Sequence, residues 1–325
     1  MIVPRYWAEG RAHDDKGGKQ VTVRRFGWSD ESQADAQMNA QERAIDALQR
    51  VLSGEALPRR EPKRPYNGAL GVPIREEIVD RVGATVITRN SYGARCLNTP
   101  DVLFVDIDFP DAPAAGGAFG LSALLLFAAA GAGWFTGSWV LGGGLAVAAV
   151  AAGAVAGRAM RRAAAKAAGG AEAAVRQRIE GFVAKRFDWH LRLYRTPAGM
   201  RVLAMHRTFD PAEPEVAECF SALGADPLYA AMCLNQKCFR ARVSAKPWRI
   251  GVDRHIRPRP GIWPVDPARL PERNAWVQAY EAAAKGFAAC TFIGTAGRGI
   301  PDPTAAGVQA LHDDLCRATS ALPTA

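Results

Sequence analysis

The chain has 325 residues, of which 49% are hydrophobic, and its formal net charge is +9. This length accommodates one or two ordinary soluble domains. The six cysteines show no paired spacing, which excludes a disulfide-framework protein and indicates free thiols.

The N-terminal segment begins with a predicted β-hairpin over residues 5–28, where apolar and polar residues alternate on both sides of a glycine turn. Ser29 or Asp30 is expected to cap a helix that ends near Leu52, because Gly54 follows its last apolar position. A basic, proline-containing linker covers residues 58–65. A short helix is predicted over residues 74–81, then a strand over 84–88 and a turn at 90–93.

The next predicted strand, Asp101–Phe109, is continuously apolar in its middle, which indicates burial on both faces of a sheet. Asp106 and Asp108 stand two residues apart near its end and therefore share a face. Two like charges so close favour a cation between them, and Mg²⁺ prefers carboxylate ligands. The alternative is that the strand simply emerges into solvent there.

A long uncharged run follows: Ala112 to Gly157 comprises 46 residues without a charged side chain. One membrane helix needs roughly 20 apolar residues, so the run predicts a transmembrane helical hairpin. Its spans are placed at about 117–135 and 139–157, joined by a turn at Thr136, Gly137 and Ser138. The run lies in the middle of the chain and is therefore not a cleaved signal peptide.

Basic residues set the expected orientation. Arg158, Arg161, Arg162 and Lys166 follow the second span, whereas the turn carries no charge. Positive flanks stay on the cytosolic side, so both termini are expected in the cytosol of a bacterium, with the hairpin in its inner membrane.

The C-terminal segment mixes helices and strands. Helices are predicted over 163–187, 213–223, 272–285 and 305–317, strands over 239–244 and 291–294, and a hairpin over 190–205. The fold class is therefore α+β. The predicted organisation is one cytosolic mixed-sheet domain whose halves, 1–111 and 163–325, are interrupted by the transmembrane hairpin at 112–162.

A basic cluster on the 239–244 strand and after it predicts a phosphate site. Arg240 and Arg242 share a strand face, Lys246 and Arg249 follow, and Trp248 offers a surface on which a base could stack. The alternative is a solvated edge strand protected by its charges. Likewise, the basic excess of the whole chain fits either the lipid bilayer with its anionic headgroups or a nucleotide, and less readily a nucleic acid.

Other cysteines and histidines give no metal motif. The spacing Cys233-x4-Cys238 is not that of a zinc knuckle, and His206 and His312 stand alone without ligand spacing.

One segment resembles a known family. Leu103-Phe-Val-Asp106-Ile-Asp108-Phe, the hairpin Leu193-Tyr-Arg-Thr-Pro-Ala-Gly-Met-Arg-Val-Leu203 and the basic strand after it are similar to the catalytic core of archaeo-eukaryotic primase-polymerases. The resemblance implies divalent metal at Asp106 and Asp108. It also places Arg201 where that family has a phosphate-contacting histidine, and it offers no third acidic ligand. As a whole, the chain resembles bacterial two-span membrane proteins.

Two functions are therefore expected. The first is an integral membrane protein whose basic domain acts as a tethered binding or adaptor module. The alternative is an Mg²⁺-dependent enzyme, primase-polymerase-like or a sugar-nucleotide transferase, that uses Asp106 and Asp108. Whether the protein is an enzyme stays open at this point.

Overall fold

The computed structural model describes residues 3–15, 20–61, 72–109, 127, 134–259 and 261–325. The strands are β1 (Tyr6–Asp14), β2 (Val21–Ser29), β3 (Glu77–Val82), β4 (Thr85–Arg89), β5 (Arg95–Thr99), β6 (Phe104–Asp108), β7 (His190–Thr196), β8 (Gly199–Ala204), β9 (Phe239–Arg242) and β10 (Thr291–Gly297). The helices are α1 (Gln33–Leu52), α2 (Trp139–Val183), α3 (Pro214–Leu223), α4 (Pro227–Gln236), α5 (Leu270–Ala284) and α6 (Pro303–Cys316).

The chain divides into two compact units. One is formed by Met1–Ile107 together with Phe182–Ala325, and the other by Asp108–Gly181. The first unit contains both four-stranded sheets, ordered β10-β7-β8-β6 and β3-β4-β5-β9. Each sheet combines strands from before and after the second unit. The α+β class is correct.

The N-terminal hairpin packs under α1 through small residues. β1 and β2 pair antiparallel, with Gly10 opposite Arg25 and Gly27 opposite Ala8. A Cβ atom on Gly10 would lie 2.1 Å from the Ala40 carbonyl oxygen, and one on Gly27 would lie 2.1 Å from the Ala40 nitrogen. The two glycines therefore let the helix backbone approach the sheet directly. The helix presents a stripe of buried alanines to them: Ala36, Ala40, Ala44 and Ala47.

The second sheet of the first unit connects distant parts of the chain. In β5 and β9, Thr99 pairs with Phe239 and Cys96 with Arg242. The predicted short helix over 74–81 is wrong, because Glu77–Val82 forms β3 and pairs antiparallel with β4. A segment this short is a helix or strand according to its neighbour rather than its own periodicity.

The predicted transmembrane hairpin is also wrong. Within the described ranges, the structure contains no helix with the length and apolar character needed to cross a membrane. The first predicted span, 117–135, lies outside the described residues except for Phe127, Trp134 and Phe135. The second, 139–157, is the start of α2, which continues unbroken through Arg158 and Lys166.

This finding overturns everything that depended on the hairpin. The length of the uncharged run and its lack of charge predicted a membrane span. However, α2 begins as a helix built largely of Ala and Gly, and each of these residues has little apolar surface to bury. The integral-membrane function, the inner-membrane localisation and the two-span topology are therefore withdrawn.

Candidate functional site

One face of the β10-β7-β8-β6 sheet carries polar side chains that α6 meets. The side chain of Asp302 caps α6 by accepting hydrogen bonds from the backbone nitrogens of Thr304 and Ala305, at 2.8 and 3.0 Å. The ring of His312 lies 5.2 Å from that of Phe104 on β6 and 4.7 Å from that of Tyr194 on β7. The helix therefore brings its last turn over the strand that holds Asp106.

At this point three potential metal ligands meet, which we call the Cys–His centre: Cys290, His312 and Cys316. Their ligand atoms all lie within 4.8 Å of one another. His312 Nε2 is 3.4 Å from Cys316 Sγ and 4.0 Å from Cys290 Sγ. All three side chains are buried, with exposures of 0–1%.

Local structure explains how these residues converge. His312 and Cys316 are separated by one helical turn and so share a face of α6. Cys290 directly precedes β10, and the backbone nitrogen of its neighbour Ala289 donates to the Cys316 carbonyl oxygen at 2.9 Å. That main-chain bond ties the start of β10 to the end of α6.

The orientation of the His312 ring is fixed by Asp313. His312 Nδ1 lies 3.2 Å from Asp313 Oδ1. Asp313 also accepts bonds from Tyr194 Oη at 2.6 Å, Arg192 Nη2 at 2.6 Å and Gln309 Nε2 at 2.7 Å. Burial alone would raise the pKa of Asp313, but the bonds from His312 and Tyr194 and the charge of Arg192 lower its pKa to about 2. Ionised Asp313 therefore accepts a hydrogen bond from the Nδ1–H group of His312. The lone pair of Nε2 then faces the cysteines.

Arg201 on β8 lies on the other side of the centre. Its Nε and Nη2 bind Asp106 Oδ1 and Oδ2 at 2.7 and 3.1 Å, and Nη1 donates to the Arg242 carbonyl oxygen at 2.9 Å. Nη1 also lies 3.3 Å from His312 Nε2. Burial opposes the charge of Arg201, but the Asp106 carboxylate raises its pKa, so the guanidinium stays protonated.

Three polar groups lie close to His312 Nε2: Arg201 Nη1 and the sulfurs of Cys316 and Cys290. The Cys316 thiol also donates to the Arg242 carbonyl oxygen, at 3.9 Å. The two sulfurs interact strongly. The hydrogen bond from Cys316 lowers the pKa of Cys290 against the effect of burial, whereas burial and then Cys290 raise the pKa of Cys316. Cys290 therefore loses its proton more readily than Cys316 does.

The predicted metal ligands lie at the edge of this site. Asp106 is engaged with Arg201, whose charge stands beside its carboxylate where the sequence suggested a divalent cation. Asp108, two residues further along β6, is exposed. Metal binding at Asp106 and Asp108 stays a prediction.

The predicted phosphate cluster is divided by the structure. Arg240 is buried and binds both oxygens of Glu76, at 2.8 and 2.7 Å. Arg242 Nη1 donates to the Ser244 carbonyl oxygen at 2.7 Å. Lys246 and Arg249 lie in the turn around Trp248, and phosphate binding by these residues stays a prediction.

Sequence reasoning missed the Cys–His centre. The pattern His312-x3-Cys316 in a helical stretch was the available signal, because this spacing places both side chains on one helix face. Cys290 gives no such signal, since its proximity depends on how β10 and α6 pack.

Comparisons with protein-family models, curated proteins and solved structures find no match for the chain. The resemblance to archaeo-eukaryotic primase-polymerases therefore stays a prediction, as do lipid headgroups and nucleotides as partners. Residue roles follow from the geometry of the described residues.

Proposed function

We propose that the protein binds a thiophilic divalent metal ion, Zn²⁺, at Cys290, His312 and Cys316, and that the ion stabilises the first unit. The observation that carries this proposal is the convergence of two sulfurs and one imidazole nitrogen within 4.8 Å in a closed interior. Thiolate and imidazole are the ligands that zinc prefers.

The distances suit zinc after small shifts. Zn–S bonds of about 2.3 Å and Zn–N bonds of about 2.0–2.1 Å in a tetrahedron place sulfur and nitrogen ligands roughly 3.6 Å apart. The observed separations from His312 Nε2 are 3.4 Å to Cys316 Sγ and 4.0 Å to Cys290 Sγ. The described residues supply three ligands, and zinc sites with three protein ligands take water in the fourth position.

Charge favours the same ion. Zn²⁺ displaces the proton of Cys316 and any proton on Cys290, and the two thiolates balance the charge of the ion. Arg201 would give up its contact with His312 Nε2 but would keep its bonds to Asp106 and to the Arg242 carbonyl oxygen. The positive charge near the metal thus stays neutralised.

The outer contacts complete the pattern of a metal site. Ligating histidines typically donate their second ring nitrogen to a carboxylate, which fixes the ring and strengthens the ligand. Asp313 does this for His312, and Arg192 and Tyr194 hold Asp313 in turn.

Burial decides between a structural and a catalytic role. A Cys–His pair beside a carboxylate also fits a cysteine nucleophile with its base. However, Cys290 and His312 are each 0% exposed, so a substrate has no access to them. The ion would instead fasten β10 to α6.

The test is metal stoichiometry on the full chain. The reduced protein is incubated with Zn²⁺, passed through a desalting column and assayed for bound zinc. Co²⁺ is used in parallel, since its thiolate charge-transfer bands report sulfur ligation directly. We expect one ion per chain in the wild type and none in Cys316→Ser.

Cys219→Ser is the matched control, because Cys219 is equally buried but lies on α3, outside the Cys–His centre. It should retain the metal. A wild type that binds no zinc and shows no cobalt–thiolate bands would contradict the proposal, whatever the folding of the variants.

A further inference from the structure

A second site lies on the first unit, apart from the metal ligands. A cavity of about 270 Å³ opens between the turn that joins β4 to β5 and the loop that follows β9, and its walls include Tyr92, Trp248, Arg254 and His255 together with the acidic Asp253. The rings of Tyr92 and Trp248 meet edge to face at 5.2 Å, which gives the cavity an aromatic corner.

Both walls are held in place by close backbone contacts. Asn90 Oδ1 accepts from the backbone nitrogens of Tyr92 and Ala94, at 3.2 and 3.0 Å. A Cβ atom on Gly93 would lie 2.3 Å from the Trp276 ring, and Trp276 Nε1 donates to the Arg254 carbonyl oxygen at 2.7 Å. The turn and the loop are therefore fastened to the same tryptophan on α5, and the cavity is preformed.

The aromatic surface is accessible. Trp248 is 51% exposed, although it stands in a short helical turn whose first residue, Pro247, is buried. The backbone nitrogen of Val252 donates to the Pro247 carbonyl oxygen at 3.0 Å, which fixes the backbone next to Trp248. A large aromatic side chain held rigidly at a cavity mouth offers a stacking platform at little cost in conformational entropy.

Lys246 and Arg254 place positive charge beside this platform. The ammonium group of Lys246 lies 5.5 Å from the centre of the Trp248 ring. The segment 246–259 carries five Lys or Arg residues and a single acidic residue, Asp253. A ligand stacked on Trp248 would bring an attached anionic group within reach of these cations.

We infer that this cavity binds a planar aromatic ligand carrying a phosphate, that is, a mononucleotide, with the base against Trp248 and the phosphate near Lys246. This function is separate from metal binding. Of the four basic residues in the phosphate cluster expected from the sequence, it involves those in the loop, Lys246 and Arg249. Arg240 takes no part, since Glu76 and Asn98 occupy its guanidinium.

Calorimetric titration of the full chain with AMP, adenosine and inorganic phosphate tests the inference. We expect AMP to bind more tightly than either fragment, and its affinity to fall as salt rises, because part of the attraction is between charges. Trp248→Ala should weaken AMP binding about tenfold or more, the usual loss when a stacking platform is removed. Lys246→Met should weaken AMP and reduce the salt dependence, while adenosine binding stays the same.

Trp134→Ala and Lys185→Met are matched controls at exposed positions outside the cavity, and both should bind AMP as the wild type does. Chelation of metal should also leave AMP binding unchanged, which separates this inference from the zinc proposal. The inference is overturned if AMP shows no heat at millimolar concentration, if inorganic phosphate binds as tightly as AMP, or if Trp248→Ala binds AMP normally.

Discussion

The two four-stranded sheets of the first unit bury arginines in different surroundings, as Arg240 in one sheet and Arg201 in the other show. Arg240 on β9 donates to both Glu76 oxygens and to Asn98 Oδ1. Glu76 also accepts from Thr88, and Asn98 donates to the Val86 carbonyl oxygen. Both partners of Arg240 therefore bond to further residues of the same sheet.

Arg201 on β8 belongs to an open network. Its partner Asp106 has a side chain that is 33% exposed, and its Nη1 extends to a histidine already approached by two thiols. A buried charge paired with a buried carboxylate is neutralised within the fold, whereas two thiols and an imidazole that lie close together can exchange their protons for a cation. This contrast assigns a structural role to Arg240 and a supporting role in metal binding to Arg201.

The largest expected effect on stability comes from removing the carboxylate that pairs with Arg240. Glu76→Ala leaves the buried Arg240 charge without its carboxylate, which should lower the free energy of unfolding by about 3–5 kcal/mol. Denaturant unfolding measures this. Glu272→Ala, which breaks an exposed pair with Arg269, is the control and should cost less than about 1 kcal/mol. A Glu76→Ala loss as small as that of the control would show that the pair is not structural.

Zinc bound at the Cys–His centre should stabilise the folded protein. At a free zinc concentration of about 100 times Kd, binding to the folded state alone adds about 2.7 kcal/mol to the free energy of unfolding. We expect this gain in the wild type and in Glu76→Ala, if that variant folds, but not in Cys316→Ser. The measurement is unfolding with and without Zn²⁺ under reducing conditions. Equal gains in the wild type and Cys316→Ser would place the ion elsewhere.

Acid should weaken the support of His312. The folded pKa of Asp313 is lowered to about 2 from an ordinary value of 3.8. Its ionised form therefore contributes stability that is fully present above pH about 4 and is lost as the pH falls towards 2. The shift corresponds to roughly 2.5 kcal/mol. Asp313→Asn should remove this part of the pH dependence, which unfolding curves at pH 5 and pH 3 would reveal. Wild-type and variant curves that fall in parallel would contradict it.

The smallest effect is expected at Asp106. Asp106→Asn removes the charge opposite Arg201 but keeps the shape, and one third of the carboxylate is exposed. The loss should be about 1.5–2 kcal/mol, at the low end of the range for charged hydrogen bonds. Zinc affinity should fall as well, because the charge of Arg201 is no longer neutralised. If the affinity is unchanged, Arg201 has no influence on the metal.

Local patterns in the sequence predicted several of the elements. The hairpin of β1 and β2, helix α1, and the hairpin of β7 and β8 follow from alternation, periodicity and turn residues, but the cap of α1 is Ser32 and not Ser29 or Asp30 as predicted. The strands predicted over 239–244 and 291–294 are β9 and β10, whose partners lie far along the chain, whereas two strands with neighbouring partners were missed. Residues 77–82 became a strand because β4 pairs with them, and β5 was missed between two better signals.

The site was predictable only in part, because the residues that meet in it are far apart in the sequence. Asp106 was recognised as a buried-strand carboxylate, but its partner Arg201 lies 95 residues away. Cys290 and His312 are 22 residues apart, with a strand and a loop between them. No short motif encodes such pairs. The uncharged run misled in the opposite way, since lack of charge over a long stretch was taken as sufficient for a membrane span.

The pairing of β5 with β9 has a consequence for synthesis of the chain on the ribosome. Asn98 meets Arg240 across 142 residues, and the whole of Asp108–Gly181 is made between them. At a translation rate of about 5–20 residues per second, β5 waits roughly 7–28 seconds for its neighbour. During that time the β3-β4-β5 sheet offers an unpaired edge, which favours pairing with other chains. Completion of this sheet is therefore a late event in the life of the nascent protein.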